Sequence, residues 1–280
     1  MSNKKYKLNR IVITVKQVPD TTQVKVDPVT NTLVREGIPF IVNPFDTHAV
    51  ETALLIKDRF DCKLTAITMG PPNSIITLKK CLAMGVDDAV LISDRLFGGA
   101  DTLATSYVLS EAIRRIQYEH GRVDLIICGK QTIDGDTAQV GPGIATRLGY
   151  SQLTLVDKVI DLDPVEKNII VRRKMEGLKE VVQSSLPALL TVVREINKPR
   201  YPSVQGRLIA ESTEIPVWDN SILKLSPAKL GIKGSPTNVK KIFAPTRAKG
   251  ELIGDDGKTP KEIARQLVKR LIELDLIHVN

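Results

Sequence analysis

A chain of 280 residues that is 42% hydrophobic and 26% charged can bury a substantial core, and its length suits one large domain or one domain with an appendage. The net charge of +8 invites a nucleic-acid reading, but the basic residues are dispersed and only 4% of residues are aromatic, too few to stack bases on. The charge suits an acidic protein surface or an anionic cofactor instead. Cys62, Cys81 and Cys128 lie far apart and no histidine clusters with them, which argues against a zinc or iron–sulfur site and for small apolar residues in buried elements.

In chain order, the basic "MSNKKYKLNR" is followed by "IVITV", an apolar run too short for a signal-peptide core or a membrane span. The expected location is therefore cytoplasmic or matrix-facing, with no transmembrane segment. The runs at 11–15, 63–69, 89–93 and 123–129 are continuously apolar, as strands buried on both faces of a parallel sheet require. Helices are expected between them at 44–59, 73–84 and 101–118, which predicts a doubly wound, mostly parallel α/β fold. At the first helix Asn43 is the expected N-cap, Pro44 the first helical residue, and Asp46 faces the positive helix end. Phe45, Ala49, Ala53 and Phe60 contribute to an apolar stripe, while His48 reads as a polar surface or capping residue and Glu51 as part of a solvated face.

Beyond residue 150 the texture changes to strand-like segments, "TLVDKVIDLD", "NIIVRRKM" and "LKEVVQSSLPALLTVV", which extend the sheet or form an antiparallel layer beside it. The α/β domain is expected to span residues 1–218. Residues 219–258, rich in Pro, Gly and Lys, read as an extended arm. Residues 259–280 read as a terminal amphipathic helix, with Thr259 as N-cap, Pro260 at N1, Glu262 at N3 and Ile263, Leu267 and Leu271 on one stripe. That stripe docks either on a partner subunit or back on its own domain.

The most informative stretch is "GKQTIDGDTAQVGPG", residues 129–143. It follows a predicted strand and opens a helix, so it stands where open α/β sheets bind ligands, and its helix offers unsatisfied N–H groups and a positive dipole to a phosphate. Asp134 and Asp136 are expected to shape the preceding turn and cap the helix, with the anion held by main-chain donors from Thr137 to Gly141. A magnesium site at "DGD" would need further acidic partners. The spacing matches neither the P-loop nor the dinucleotide fingerprint, so a structural Gly-rich turn stays open on pattern alone.

Five blocks in order, "VKQVPD", "NPFDTHAVETAL", "AMGVDDAVLISD", "GKQTIDGDTAQVGPGIA" and "LPALLTVVREINKPRYPS", resemble the beta subunit of electron-transfer flavoprotein across roughly residues 9–215. The resemblance implies an adenine-nucleotide-binding α/β fold of the adenine nucleotide alpha hydrolase-like type, in a heterodimer whose alpha subunit carries the electron-transferring FAD. It implies nucleotide contacts at Thr14 and Lys16, at Asn43 and Asp46, at Met69 and Gly70, and along Gly129, Lys130, Gln131, Asp134, Asp136, Thr137, Ala138, Gln139, Val140 and Gly141. Ala138 and Val140 stand where family members can offer hydroxyl and amide side chains. "NKPRYPSVQG" (198–207) resembles the family's partner-recognition loop, with Tyr201, Pro202 and Val204 as anchor and Arg200 and Arg207 flanking it; on pattern alone Pro199 and Pro202 could simply end strands. The Lys-rich run that follows in mitochondrial-type relatives is replaced by "RLIAEST", which leaves their partner set in doubt.

Two functions fit the resemblance. In one the beta subunit holds AMP as a structural ligand. In the other it binds FAD that accepts a hydride from NADH and bifurcates electrons, with a dehydrogenase or quinone reductase as one acceptor and ferredoxin as the low-potential one. The stretch "VRRKMEGLKEVVQSSLPALLTVVREINKPRYPSVQGRLIA" and the long arm resemble the bifurcating and nitrogen-fixation-associated group, which favours FAD. No side chain demands an acid–base role. A stand-alone nucleotide-binding module is the reading outside the family, and it leaves the loop at 198–207 and the terminal helix without a purpose.

Overall fold

The computed structural model describes residues 8–20, 25–26, 33–34, 39–238, 250, 252–254, 257 and 259–277. The chain divides into two compact units, Met1–Lys240 and Lys241–Asn280. In the first, β1 (Arg10–Thr14), β6 (Lys63–Met69), β7 (Asp88–Ile92), β8 (Leu125–Gly129) and β12 (Ala188–Val192) are nearly all apolar and almost wholly buried, as strands covered on both faces must be. The short strands β2 (Gln17–Pro19) and β5 (Phe40–Val42) pair with each other, as do β3 (Lys25–Val26) and β4 (Leu33–Val34). Among the described residues the main sheet runs β11-β10-β9-β12-β8-β1-β6-β7-β13, with β9 at Ser151–Asp163, β10 at Asn168–Lys174, β11 at Lys179–Ser185 and β13 at Val217–Trp218. All neighbours pair in parallel except β9–β10 and β10–β11, so the fold is α/β with a mostly parallel sheet.

Helices α1 (Pro44–Arg59) and α2 (Ile75–Met84) share one buried cluster with Ile11, Ile13 and Leu64, while α3 (Thr102–His120) and α4 (Val140–Leu148) share another with Val12, Ile67 and Ile126. The alternation of side chains along each strand thus feeds two cores, one per face. The apolar run 178–193 becomes two strands because Pro187, with no N–H, cannot continue a ladder. β11 lies antiparallel at the sheet edge and β12 is inserted in parallel between β8 and β9, so the same sheet is extended in both senses.

Two expectations are corrected. Residues 219–238 do not leave the domain as an arm. Trp218, Leu225 and Leu230 are buried, α6 (Asn220–Leu223) is capped by Asp219, and the Thr237 N–H and hydroxyl donate to Asp101 at 3.1 and 2.9 Å. Its apolar residues are too widely spaced to form a period, but each drops singly onto the sheet edge and α3. The region expected to be loop beyond 203 is α5 (Val204–Ser212), capped by Ser203. Gly206 lets α5 approach α2, since a Cβ there would lie 3.1 Å from the Ala83 carbonyl carbon. Residues 239–249, 251, 255–256, 258 and 278–280 of the expected arm and terminal helix lie outside the described residues.

In the second unit, α7 (Pro260–Glu273) begins at Thr259, whose N–H donates to the Glu262 carboxylate at 2.8 Å. Among the described residues no helix is long and apolar enough to cross a membrane.

Candidate functional site

β1 passes its chain through α1 to β6 on one side, and β8 passes its chain through α4 toward β9 on the other, on the opposite face. The carboxyl ends of β1 and β8 therefore form a topological switch point, where loops diverge and leave a crevice. Asp46 spans that opening. Its Oδ2 accepts from the Lys16 N–H at 2.8 Å and its Oδ1 from the Gly129 N–H at 3.1 Å, so one side chain from α1 ties both strand ends together. Only 4% of Asp46 is exposed, and burial pushes its pKa up to about 7 against the opposing pull of Asn43, the two backbone donors and the Lys16 charge.

Asn43, expected as an N-cap, makes no side-chain cap. Its amide donates to the Gln131 carbonyl at 2.9 Å and its Oδ1 accepts from the Ile133 N–H at 3.3 Å. Pro44 at the first helical position already removes one orphan N–H, which frees the Asn43 side chain to hold the Gly-rich loop. The loop's aspartates are likewise not caps: α4 has Gln139 at its N-cap position and no side-chain cap bond. Asp134 instead pairs with the Lys16 ammonium at 2.7 Å, and Asp136 accepts from the Gln131 side chain at 2.7 Å. Burial works against the Asp134 charge, but Lys16 and the Thr132 hydroxyl outweigh it and hold its pKa below the ordinary carboxylate value. Both anions are thus engaged away from the helix end.

Asp136 and Ala138 adopt left-handed backbone, at φ of 50° and 56°, which turns the chain sharply into α4. The first bond into the helix, from the Gly143 N–H to the Gln139 carbonyl at 2.9 Å, lies downstream of the Thr137–Gly141 amides. Thr137, Ala138 and Gln139 are exposed, Val140 is half-buried and Gly141 is buried, so the start of this stretch lies at the surface. Gln139 accepts from the Thr102 hydroxyl at 3.0 Å, which fixes this end of the loop to α3. Gly129 and Gly141 are required by space: a Cβ would lie 2.6 Å from the Phe45 Cβ in the first case and 2.8 Å from the Cys128 Sγ in the second. Thr14 ends β1 almost fully buried, Met69 ends β6, and the Gly70 N–H donates to the Ile92 carbonyl at 3.1 Å, so these predicted residues rim the neighbouring strand ends. Lys16→Met is expected to leave folding stability within about 1 kcal/mol, because the pair is exposed. Removing the charge that balances Asp134 should weaken binding of any anion held near this loop about tenfold, which titration calorimetry with a nucleotide checks.

A cavity of about 610 Å³ adjoins this loop. Of the predicted residues it takes in Lys130, Gln131 and Asp136; Phe45, Leu155, Lys174, Met175 and Arg194 were missed. Arg194 and Lys130 lie 4.7 and 5.6 Å from the centroid of the Phe45 ring. Leu155 sits in left-handed backbone at φ 58°, its N–H donating to the Thr191 hydroxyl at 3.0 Å where the β9–β12 register slips. No sequence pattern marks such a bulge, although "VVREI" following a buried strand places Arg194 at a carboxyl strand end.

The expected docking loop lies beside α1. Tyr201 is 91% exposed and Val204 79%, with Pro202 half-buried between them. Arg200 does not project with them: its guanidinium is held by Glu51 at 3.0 Å and Asp58 at 2.6 Å. Glu51 is correspondingly buried, not on a solvated face, and His48 Nδ1 lies 3.1 Å from Asn197.

The electron transfer flavoprotein domain family matches residues 30–223. Similar proteins include Protein FixA of Azotobacter vinelandii, 48% identical over 263 residues and 93% of each chain. Another is the caffeyl-CoA reductase-Etf complex subunit CarD of Acetobacterium woodii, 46% identical over 270 residues, covering 96% of this chain and all of the relative. The electron transfer flavoprotein subunit beta of Clostridium acetobutylicum is 46% identical over 265 residues, 94% of this chain and 98% of the relative. With the switch-point loop and these relatives agreeing over nearly the whole length, the chain belongs to the electron transfer flavoprotein family, in the group of its beta subunits.

Proposed function

We propose that this chain pairs with an electron-transfer flavoprotein alpha subunit, in the cytoplasm, and holds an FAD at the β1/β8 switch point. The complex would take electrons from NADH and divide them between a high-potential acceptor, a dehydrogenase or quinone reductase, and a low-potential one such as ferredoxin. The uncapped amino end of α4 carries the reading: the exposed residues Thr137 to Gln139 lead into it, Lys16 balances the charge of Asp134, and Asp136 is engaged in a hydrogen bond from Gln131. The group fits these residues. Main-chain donors would hold phosphate oxygens, and Thr14, Lys16, Met69 and Gly70 would line the neighbouring strand ends. FAD, once bound, supplies hydride and one-electron chemistry; the chain orients it and sets the charge around it. The cavity against Phe45 lies within the ordinary size range of ligand sites and gives room beyond a nucleoside monophosphate. The similarity to CarD, a subunit of a caffeyl-CoA reductase-Etf complex, supports a role within a multi-subunit electron-transfer complex.

A second reading, AMP as a structural ligand, is favoured by the single helix end at the loop, which suits one phosphate. Tyr201, Pro202 and Val204 would dock an acceptor protein, and α7, with Leu267, Val268 and Ile272 each nearly half exposed, would lie on the alpha subunit. Acid release from the purified heterodimer, followed by chromatography, tests the cofactor. Two FAD and no AMP per dimer are expected; one FAD with one AMP would remove the bifurcating reading.

A further inference from the structure

Helix α1 holds two functional segments at once. Its first turn grips the Gly-rich loop through Asn43 and Asp46. Its next turns grip residues 197–200. The Asn197 amide donates to the His48 carbonyl at 3.0 Å and to the Thr52 hydroxyl at 2.8 Å. The Arg200 Nε and Nη2 reach Glu51 at 3.0 and 3.1 Å, Nη2 also reaches Asp58 at 2.6 Å, and the Arg200 backbone N–H donates to Glu51 Oε2 at 3.0 Å. The Glu51 side chain is only 5% exposed. A carboxylate so far from water is tolerated when a guanidinium fork and a backbone donor satisfy it together, and a lysine could not reproduce that geometry. Because the main-chain N–H of Arg200 is part of the arrangement, the path of the chain into Tyr201 is set as well.

The consequence is an exposed apolar ridge with a rigid base. Tyr201, Val204 and Leu208 are 91, 79 and 69% exposed, and immediately before them the chain is clamped. We propose that Glu51 is a positioning residue for acceptor docking: with Asp58 it locks Arg200 against α1, so that the ridge and the Gly-rich loop are carried by one helix. Asp46 and Glu51 are five residues apart, about 7.5 Å along the axis at 1.5 Å per residue. The spacing between docking ridge and cofactor loop is thereby built into the helix. This rests on the reading of Tyr201, Pro202 and Val204 as the docking anchor.

The experiment uses the heterodimer with Glu51→Gln, Asp58→Asn or Arg200→Lys, probed first by trypsin. Cleavage after Arg200 requires its side chain to enter the protease, so the locked bond to Tyr201 resists. Glu51→Gln should be cut there about tenfold faster, and Asp58→Asn, at an exposed carboxylate that cannot compromise the core, by a smaller factor. Arg200→Lys keeps the charge and the cleavage site but not the fork, and should be cut as fast as Glu51→Gln. Mass spectrometry of the 1–200 and 201–280 fragments reads the site. Steady-state kinetics with an acyl-CoA dehydrogenase as probe should show a raised KM and an unchanged kcat for Glu51→Gln. Equal cleavage of wild type and Glu51→Gln overturns the lock. Faster cleavage with an unmoved KM leaves the lock standing and overturns the docking reading beneath it.

Discussion

Asp46→Ala is expected to destabilise the α/β unit by about 3 kcal/mol, because the part-buried Lys16 and Gly129 N–H groups each lose their acceptor, at about 1–3 kcal/mol apiece. The effect has a pH signature whose sign follows from the direction in which burial moves the carboxyl. The Asp46 pKa rises from 3.8 to about 7 in the folded chain, so folding favours its protonated form. Its contribution is fully present below about pH 4 and is lost as pH rises through 7. Asp46→Asn cannot ionise and removes this dependence. The stability of wild type relative to Asp46→Asn should therefore fall by about 2.5 kcal/mol between pH 5 and pH 8, since one proton held only by the folded chain costs about 1.4 kcal/mol for each pH unit below 7. Urea unfolding at the two pH values measures it, and a difference that grows with pH would show that Asp46 is held as the anion.

Gly129→Ala is expected to abolish cofactor retention. The added methyl would lie 2.6 Å from the Phe45 Cβ and 2.8 Å from its carbonyl carbon, and backbone cannot step aside like a flexible side chain. α1 is anchored there by Pro44 and by the bonds of Asn43 and Asp46, so the strain falls on the strand end and displaces the Gly129 N–H from Asp46. Overpacking of this kind costs about 1–3 kcal/mol. Gly135→Ala is the control: its nearest neighbour would be the Thr132 hydroxyl at 3.6 Å, an ordinary contact, and the purified heterodimer should keep its full ligand content. If both variants retain ligand, the close approach at Gly129 is not what shapes the site.

The features legible in the sequence are those that depend on local pattern. The runs 44–59 and 63–69 are helix and strand over those same residues, because Pro44 and an unbroken apolar stretch are local signals. Partner choice across distance is not legible in that way. Asn43 has the composition of a cap but bonds residues 131 and 133, and Asp46 crosses to two strand ends. Asp134 has the setting of a helix cap, but Lys16, more than a hundred residues earlier, claims it. Glu51 sits on a helix whose polar positions suggest solvent, and only the fold brings Arg200 over it. The α5 helix is hidden by Pro202 and Gly206, each individually a breaker, although Ser203 is a legitimate start signal.

The left-handed backbone at Asp136 and Ala138, pinned at Lys16, Asn43 and Thr102, has a thermodynamic consequence for the ligand. Side-chain-bearing residues seldom occupy that conformation unless their surroundings enforce it, so the loop is ordered by the protein before any nucleotide arrives. Calorimetric titration should accordingly show binding heat with little opposing entropy from chain ordering. Discrimination between AMP and FAD would then reside in how long each stays, with nearly equal association rates and widely separated residence times.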